Sequence, residues 1–246
     1  MRIILGLLLV LSTAGRAQPP LMAAYCPLGC PASPPQNVLV FHHLYALSNN
    51  SKTKFADWVA YEVDVANFGE SPGRDWSSDP LLSPADTLEE ADYKDASKMP
   101  LDADRGHQAP LASFAGSRYW YELNYLSNIT PQDKDLNQGA WKALEDAERA
   151  AVSYRNPLFV ITGPLYHQPQ PPLPFADEPH QVPAAYYKLI YDQSGTAVAF
   201  YMPQTTARQT DFCSTSLPLS ELQQKLSYTL PRLTAGPALF RRLGCR

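Results

Sequence analysis

Asp104-Arg105-Gly106-His107, continuing as QAPLASFAG to Gly116, and the later run from Asn124 to Arg149, NYLSNITPQDKDLNQGAWKALEDAER, decide how the rest of the chain is read. The second run predicts a helix over Leu136 to Ser153. Asp135 can cap it, and Gln138 three residues on can reach back as in a capping box. Leu136, Ala140, Leu144, Ala147 and Ala151 recur every three or four residues and form an apolar stripe facing a core. Asn137, Trp141, Glu145 and Arg149, each four apart, drift only ~40° per step and share a second side. A solvated face with a Glu145–Arg149 ion pair explains that spacing equally well. In the first run, a histidine beside an arginine and a glycine offers a base, a cation for a phosphate oxygen and close backbone approach. The tetrapeptide alone is a weak signal, because a lone histidine is more often structural.

Outward from these blocks, Asn37 to Leu47 and Phe55 to Val63 are rich in β-branched and aromatic residues. They read as paired strands around a Ser48–Ser51 turn. Residues 70–104, with much Asp, Ser and Pro, read as a long surface loop. Phe159 to Gly163 and Ala184 to Tyr191 are further strands, and the stretch from His167 to Pro183, which holds six prolines, reads as irregular. Leu219 to Leu226 reads as a short helix. There is no repeat and no clear boundary, so the expectation is one α+β domain over 18–246.

The N-terminus sets the compartment. Arg2 and the nine-residue apolar run Ile3–Leu11, leading to Gly15-Arg16-Ala17, predict a cleaved secretory signal over 1–17. The run is far short of the ~18 apolar residues of a membrane span, and no later stretch is long enough, so no membrane association is expected. Location is then extracellular or periplasmic. Removing the signal takes Arg2 and Arg16 and no acid, moving the net charge from −4 to −6. A basic surface is the usual footprint of nucleic-acid binding, so attraction for phosphate here has to be local. The four cysteines, Cys26, Cys30, Cys213 and Cys245, allow three disulfide pairings. Cys26–Cys30 with Cys213–Cys245 ties down both chain ends, while a zinc site of all four is the rival in a less oxidising compartment.

The two quoted blocks together resemble the DNA/RNA non-specific endonuclease family. The likeness extends to TKFADWVAY (Thr53–Tyr61), DPLLSPADTL (Asp79–Leu88), Ile161–Tyr166 and the four cysteines. The resemblance implies a ββα-metal nuclease fold, with a central, mainly antiparallel sheet and helices packed around it. It implies His107 as general base, Asn137 as metal ligand, Glu145 ordering water on the metal, and Arg105 and Arg149 at the phosphate. Asn128 and Asp104 match orienting positions, and Arg74 matches an upstream arginine within a loop that differs from the family's. Mg²⁺, or Mn²⁺ in its place, is the implied cofactor, with DNA and RNA as substrates; a homodimer is left open. Eight residues on a plain helix separate the Asn137 and Glu145 Cα atoms by ~12 Å along the axis. Asn137 is therefore expected as the direct ligand and Glu145 as a partner through water.

The chemistry holds together without the family. Phosphodiester hydrolysis needs an activated water, charge neutralisation and help for the leaving oxygen; none of these groups reads a base edge, so broad specificity follows. With water as the nucleophile no 2′-hydroxyl is required, so DNA and RNA are both expected to be cut, leaving 5′-phosphate ends. The rivals are a sugar-selective nuclease or toxin of the same fold and an inactive secreted nucleic-acid-binding protein. His42-His43 reads as structural, and the glycosylation patterns at Asn49 and Asn128 as incidental. Tyr119-Trp120-Tyr121 suits base stacking or core packing.

Overall fold

The computed structural model describes residues 21–246, so the signal read over 1–17 lies outside the described residues. In chain order the strands are β1 (Val38–Phe41), β2 (Tyr45–Asn50), β3 (Phe55–Val63), β4 (Ala103–His107) and β5 (Ile129–Asp133), then β6 (Leu158–Leu165), β7 (Ala185–Tyr191), β8 (Thr196–Pro203), β9 (Ser216–Leu217) and β10 (Thr234–Ala235). The helices are α1 (Lys134–Leu136), α2 (Lys142–Ala151), α3 (Leu219–Lys225) and α4 (Pro237–Arg242); a π turn, Asn137–Trp141, joins α1 to α2. The fold is α+β. An eight-stranded sheet runs β1-β2-β3-β6-β7-β8-β10 with β9 beside β8, and only β10 pairs in parallel. β4 and β5 form a separate antiparallel hairpin.

Residues alternate across the large sheet because successive strand side chains point to opposite faces. Tyr61, Val160, Tyr186, Ile190 and Phe200 meet Leu136, Ala140 and Leu144 of the long helix on one face. Trp58, Ile161, Tyr187 and Leu189 meet the Cys26–Cys30 segment and Leu222 of α3 on the other. Both disulfides form, Cys26–Cys30 and Cys213–Cys245. No helix among the described residues is long and apolar enough to cross a membrane.

Four expectations are corrected. The Asn37–Leu47 run holds two strands, because the chain reverses through His42–Leu44 to pair Val38 with Asn49. The turn after β2 falls at 51–54, where Lys54 takes a left-handed φ of 70°, and not at 48–51. Ser48 and Asn49 stay in the buried strand because Ser33 and Asn37 bond the Ser48 hydroxyl, and Asn49 donates to the Asp86 carbonyl. Residues 70–104 are more than a surface loop: short 3-10 turns carry Leu88, Tyr93, Ala96, Met99 and Leu101 into a third apolar cluster. The long helix starts at Lys134, capped by Asp133, whose side chain accepts from the backbone N–H groups of Asp135 and Leu136. Asp135 is therefore inside the helix and cannot cap it.

Candidate active site

The hairpin and the helix that follows it are consecutive in sequence, so β4, β5 and the α1–α2 helix build one wall-and-floor unit. Arg105 and His107, two apart on β4, share a face of the strand. Gly106 between them is required by close packing, since a Cβ there would lie 2.7 Å from the Gln132 Cβ on β5. Arg74, Asp104, Arg105, His107, Asn137, Glu145 and Arg149 all line one cleft of about 780 Å³. Asn128 does not. Its amide is spent on backbone, accepting from Ala109 N–H at 2.8 Å and donating to the carbonyls of Ala109 and Leu123. It staples the segment leaving His107 to the segment returning toward β5.

Asn124, which sequence reasoning passed over, holds the His107 ring. Its Nδ2 donates to the Gly73 carbonyl at 3.3 Å, so the atom facing His107 Nε2 at 3.2 Å is the acceptor Oδ1. An acceptor there requires the proton on Nε2 and leaves the Nδ1 lone pair available. Burial of the ring, helped by the positive charge of Arg74 and opposed by the Asn124 hydrogen bond, pulls the His107 pKa from 6.5 down to about 4. The imidazole is thus a neutral proton acceptor at ordinary pH. Trp76 packs against the ring. The Arg105 guanidinium lies 5.4 Å from both the Trp76 and Tyr93 rings and donates to the Glu90 carbonyl.

On the helix wall, Asp104 Oδ2 accepts from Asn137 Nδ2 at 2.9 Å and from Gln138 Nε2 at 2.8 Å. With its nitrogen committed, the Asn137 amide offers Oδ1 to the cleft, a hard oxygen of the kind Mg²⁺ prefers. Burial pushes the Glu145 carboxyl up, with Lys188 and Arg149 pulling it back. The Glu145–Arg149 ion pair of the alternative, solvated-face reading is not formed. Arg149 bonds Asp146 and Ser113, and Glu145 accepts from Lys188 at 3.2 Å.

The second stripe is also corrected, because Trp141 is fully buried in the core while its supposed companions face the cleft. The cause is the π turn, where Gly139 leaves helical geometry (φ −106°, ψ −113°). A Cβ on Gly139 would sit 2.3 Å from the Arg208 carbonyl oxygen, so the passing strand of chain requires glycine. A π turn takes one residue more than an α turn. Asn137 and Glu145 are then related as residues ~seven α-steps apart, roughly 20° from two full turns, where a plain helix would leave them ~80° apart. Their axial separation shrinks by the same residue, to ~10.5 Å in place of ~12 Å.

The charge objection resolves locally. Arg74, Arg105, Lys142, Arg149 and Arg208 line the cleft against three carboxylates, Asp95, Asp104 and Glu145, on a chain of net charge −4. Arg208, also unforeseen, approaches Asp135 and Gln138 from the loop after β8. Outside the cleft lining, the carboxylates of Glu89, Asp92, Asp177 and Glu178 offer oxygens within 4.8 Å of one another. Burial, then Glu178 and Asp92, push Glu89 up to about 7. His42 and His43 are structural, paired with Asp79 and Glu122. Asn49 and Asn128 are fully buried, and Tyr119 and Trp120 pack on the core.

Residues 24–233 match the DNA/RNA non-specific endonuclease family. The chain is 45% identical to a nuclease of Serratia marcescens over 81% of its own length and 77% of that protein's. Human mitochondrial endonuclease G is 32% identical over 50% of this chain and 41% of that one. Among solved structures, the EndoG/EndoGI complex, studied for the mechanism of EndoG inhibition, superposes with a TM-score of 0.68 at 21% identity, covering 82% of this chain and 88% of that chain. That likeness is one of fold.

Proposed function

This chain belongs to the DNA/RNA non-specific endonuclease family, and we propose that it is exported, with cleavage after Ala17, and cuts both DNA and RNA with Mg²⁺, leaving 5′-phosphate ends. Residues 18–246 are read as a single nuclease domain. The observation that carries the reading is the pairing, across one cleft, of an imidazole with a fixed tautomer and an amide whose oxygen alone is free.

His107 Nδ1 takes a proton from water as that water's oxygen attacks phosphorus. The P–O3′ bond breaks, the 3′ oxygen leaves, and the phosphate stays on the 5′ side. Arg74, Arg105 and Arg149 take the phosphoryl oxygens, where guanidinium forks suit the developing charge. Asn137 would hold the ion directly, turned by Asp104, with Glu145 contributing through water. When bound, Mg²⁺ supplies a Lewis acid that offsets charge on the phosphate and the leaving oxygen. Asn128 acts at a distance by fixing the backbone beyond His107. Two disulfides support an oxidising compartment.

The test is plasmid nicking and RNA cleavage with and without EDTA, with product ends identified by mass. Cleavage of both substrates to 5′-phosphates, abolished by EDTA, is expected. Failure on DNA, or 2′,3′-cyclic ends on RNA, removes the mechanism. The secreted protein should begin near residue 18 by intact mass; a start before residue 15 or beyond 22 removes the signal reading.

A further inference from the structure

We infer that Lys188 is a positioning residue for the reaction: from the middle of the sheet it reaches through the core and fixes the Glu145 carboxylate from behind. This rests on the part given to Glu145 above. Lys188 lies on β7, between β6 and β8, and is completely buried. Its neighbours on that face, Tyr186 and Ile190, are core residues. A buried ammonium is costly unless it is paired and hydrogen-bonded, and Lys188 donates two hydrogen bonds and forms an ion pair with a third oxygen. Its Nζ donates to the Tyr61 hydroxyl at 2.8 Å and to Glu145 Oε1 at 3.2 Å. It also lies 3.2 Å from Glu148 Oε1, off the hydrogen-bond direction, with the Trp141 ring 4.7 Å away.

The two carboxylates are not equivalent. Glu148 is wholly buried and accepts a hydrogen bond at Oε2 from the Tyr61 hydroxyl. Glu145 lines the cleft, and its side chain retains 13% exposure. Charge balance for Glu148 alone does not require the ammonium to approach the cleft. Among the described residues, Lys188 is the cation hydrogen-bonded to Glu145, since Arg149 is spent on Asp146 and Ser113. Holding Oε1 leaves Oε2 for the cleft and keeps the carboxylate from swinging to the Arg149 guanidinium. The rigidity of the sheet is thereby lent to a side chain on the helix.

Lys188→Met alone strands two carboxylates in the core, so the informative protein is Lys188→Met with Glu148→Gln. It keeps the pocket's net charge at −1 (one cation and two anions become one anion), and the glutamine oxygen still accepts from Tyr61. Three quantities are read: the thermal melt, Mn²⁺ affinity by EPR titration without nucleic acid, and kcat and KM on DNA. The expectation is a folded protein binding Mn²⁺ about tenfold more weakly, with kcat down ~10–100-fold, the range for an outer-shell partner, and KM unmoved. Placed on Glu145→Gln, the same pair should cost no further kcat, because both changes act through one group. Wild-type Mn²⁺ affinity and kcat in the paired variant, or full additivity on Glu145→Gln, overturns the inference. If that protein does not fold, Lys188→Arg decides: charge balance predicts full activity, positioning predicts a lowered kcat. A fully active Glu145→Gln would instead remove the role of Glu145 itself.

Discussion

His107 and Glu145 face the same cleft, yet they are held by different means. On the hairpin wall, β4–β5 register and neutral amides do the work: Asn124 orients the imidazole and Asn128 staples the backbone beyond it. On the helix wall the partners are charged, with half-buried Asp104 turning Asn137 and buried Lys188 gripping Glu145. In the proposed mechanism, the difference follows from what each group does. A base has to exchange a proton, and a neutral hydrogen bond orients it without the pKa shift that a directly bonded charge adds. A group that helps hold a divalent cation must stay anionic and still, and a buried counter-charge achieves both.

The largest effect that would break this division is at the base. His107→Ala should lose ~10²–10⁴-fold in kcat, the range for a general base, with the thermal melt nearly unchanged; retained turnover discards His107. Next, Asn137→Ala should exceed the ~10–100-fold loss of Glu145→Gln, which removes an outer-shell partner, and the gap should appear in Mn²⁺ affinity as well as kcat. A structure with magnesium bonded directly to Glu145 overturns that ranking. A smaller cost sharpens the comparison from the helix side. Gly139→Ala drives a Cβ onto the Arg208 backbone and should cost ~1–3 kcal/mol, as overpacking does, read as a lowered melt. An unchanged melt would mean that the Arg208 chain gives way freely.

The smallest effect concerns Arg74 and pH. The His107 pKa is depressed to about 4, so the acid limb of kcat/KM should lie there. The sign for stability is fixed by the same shift. The unfolded chain takes up the proton first, so folding stability is lost as pH falls from 6.5 toward about 4 and changes no further from this group below that. Burial is the larger cause and Arg74 the lesser, so Arg74→Ala should move the limb upward but leave it below 6.5. A pH–rate profile that does not move takes Arg74 away from His107.

The sequence made the hairpin wall legible and hid half of the helix wall. DRGH, weak alone, takes its meaning from the block downstream of it, and its strand brings Arg105 and His107 to one face with no distant partner. Lys188 sits inside AAYYKLIY, where nothing local tells a buried lysine from an outward one; its partners are 43 and 127 residues away. Glu148, three residues from Glu145, and Asn124, at the head of the second block, carry no local signal that sets them apart. The cap was misplaced by two residues because Asp133 and Asp135 are chemically alike, and only the path of β5 into the helix chooses between them. The sheet was half visible: the apolar runs gave β3, β6 and β7, while β8, with glycine and serine before it, raised no signal.

The extra residue at Gly139 has a consequence for searching by pattern. A rule that demands asparagine and glutamate eight positions apart describes this insertion, not the reaction. A chain one residue shorter, wound as unbroken α-helix, would present the same two groups seven apart at nearly the same angle. Fixed-spacing motifs would discard such a chain, and an alignment would score its helix as a deletion. A Gly139-deleted variant that keeps its Mn²⁺ affinity would show that orientation is what has to be matched; loss of that affinity would show that the count matters too.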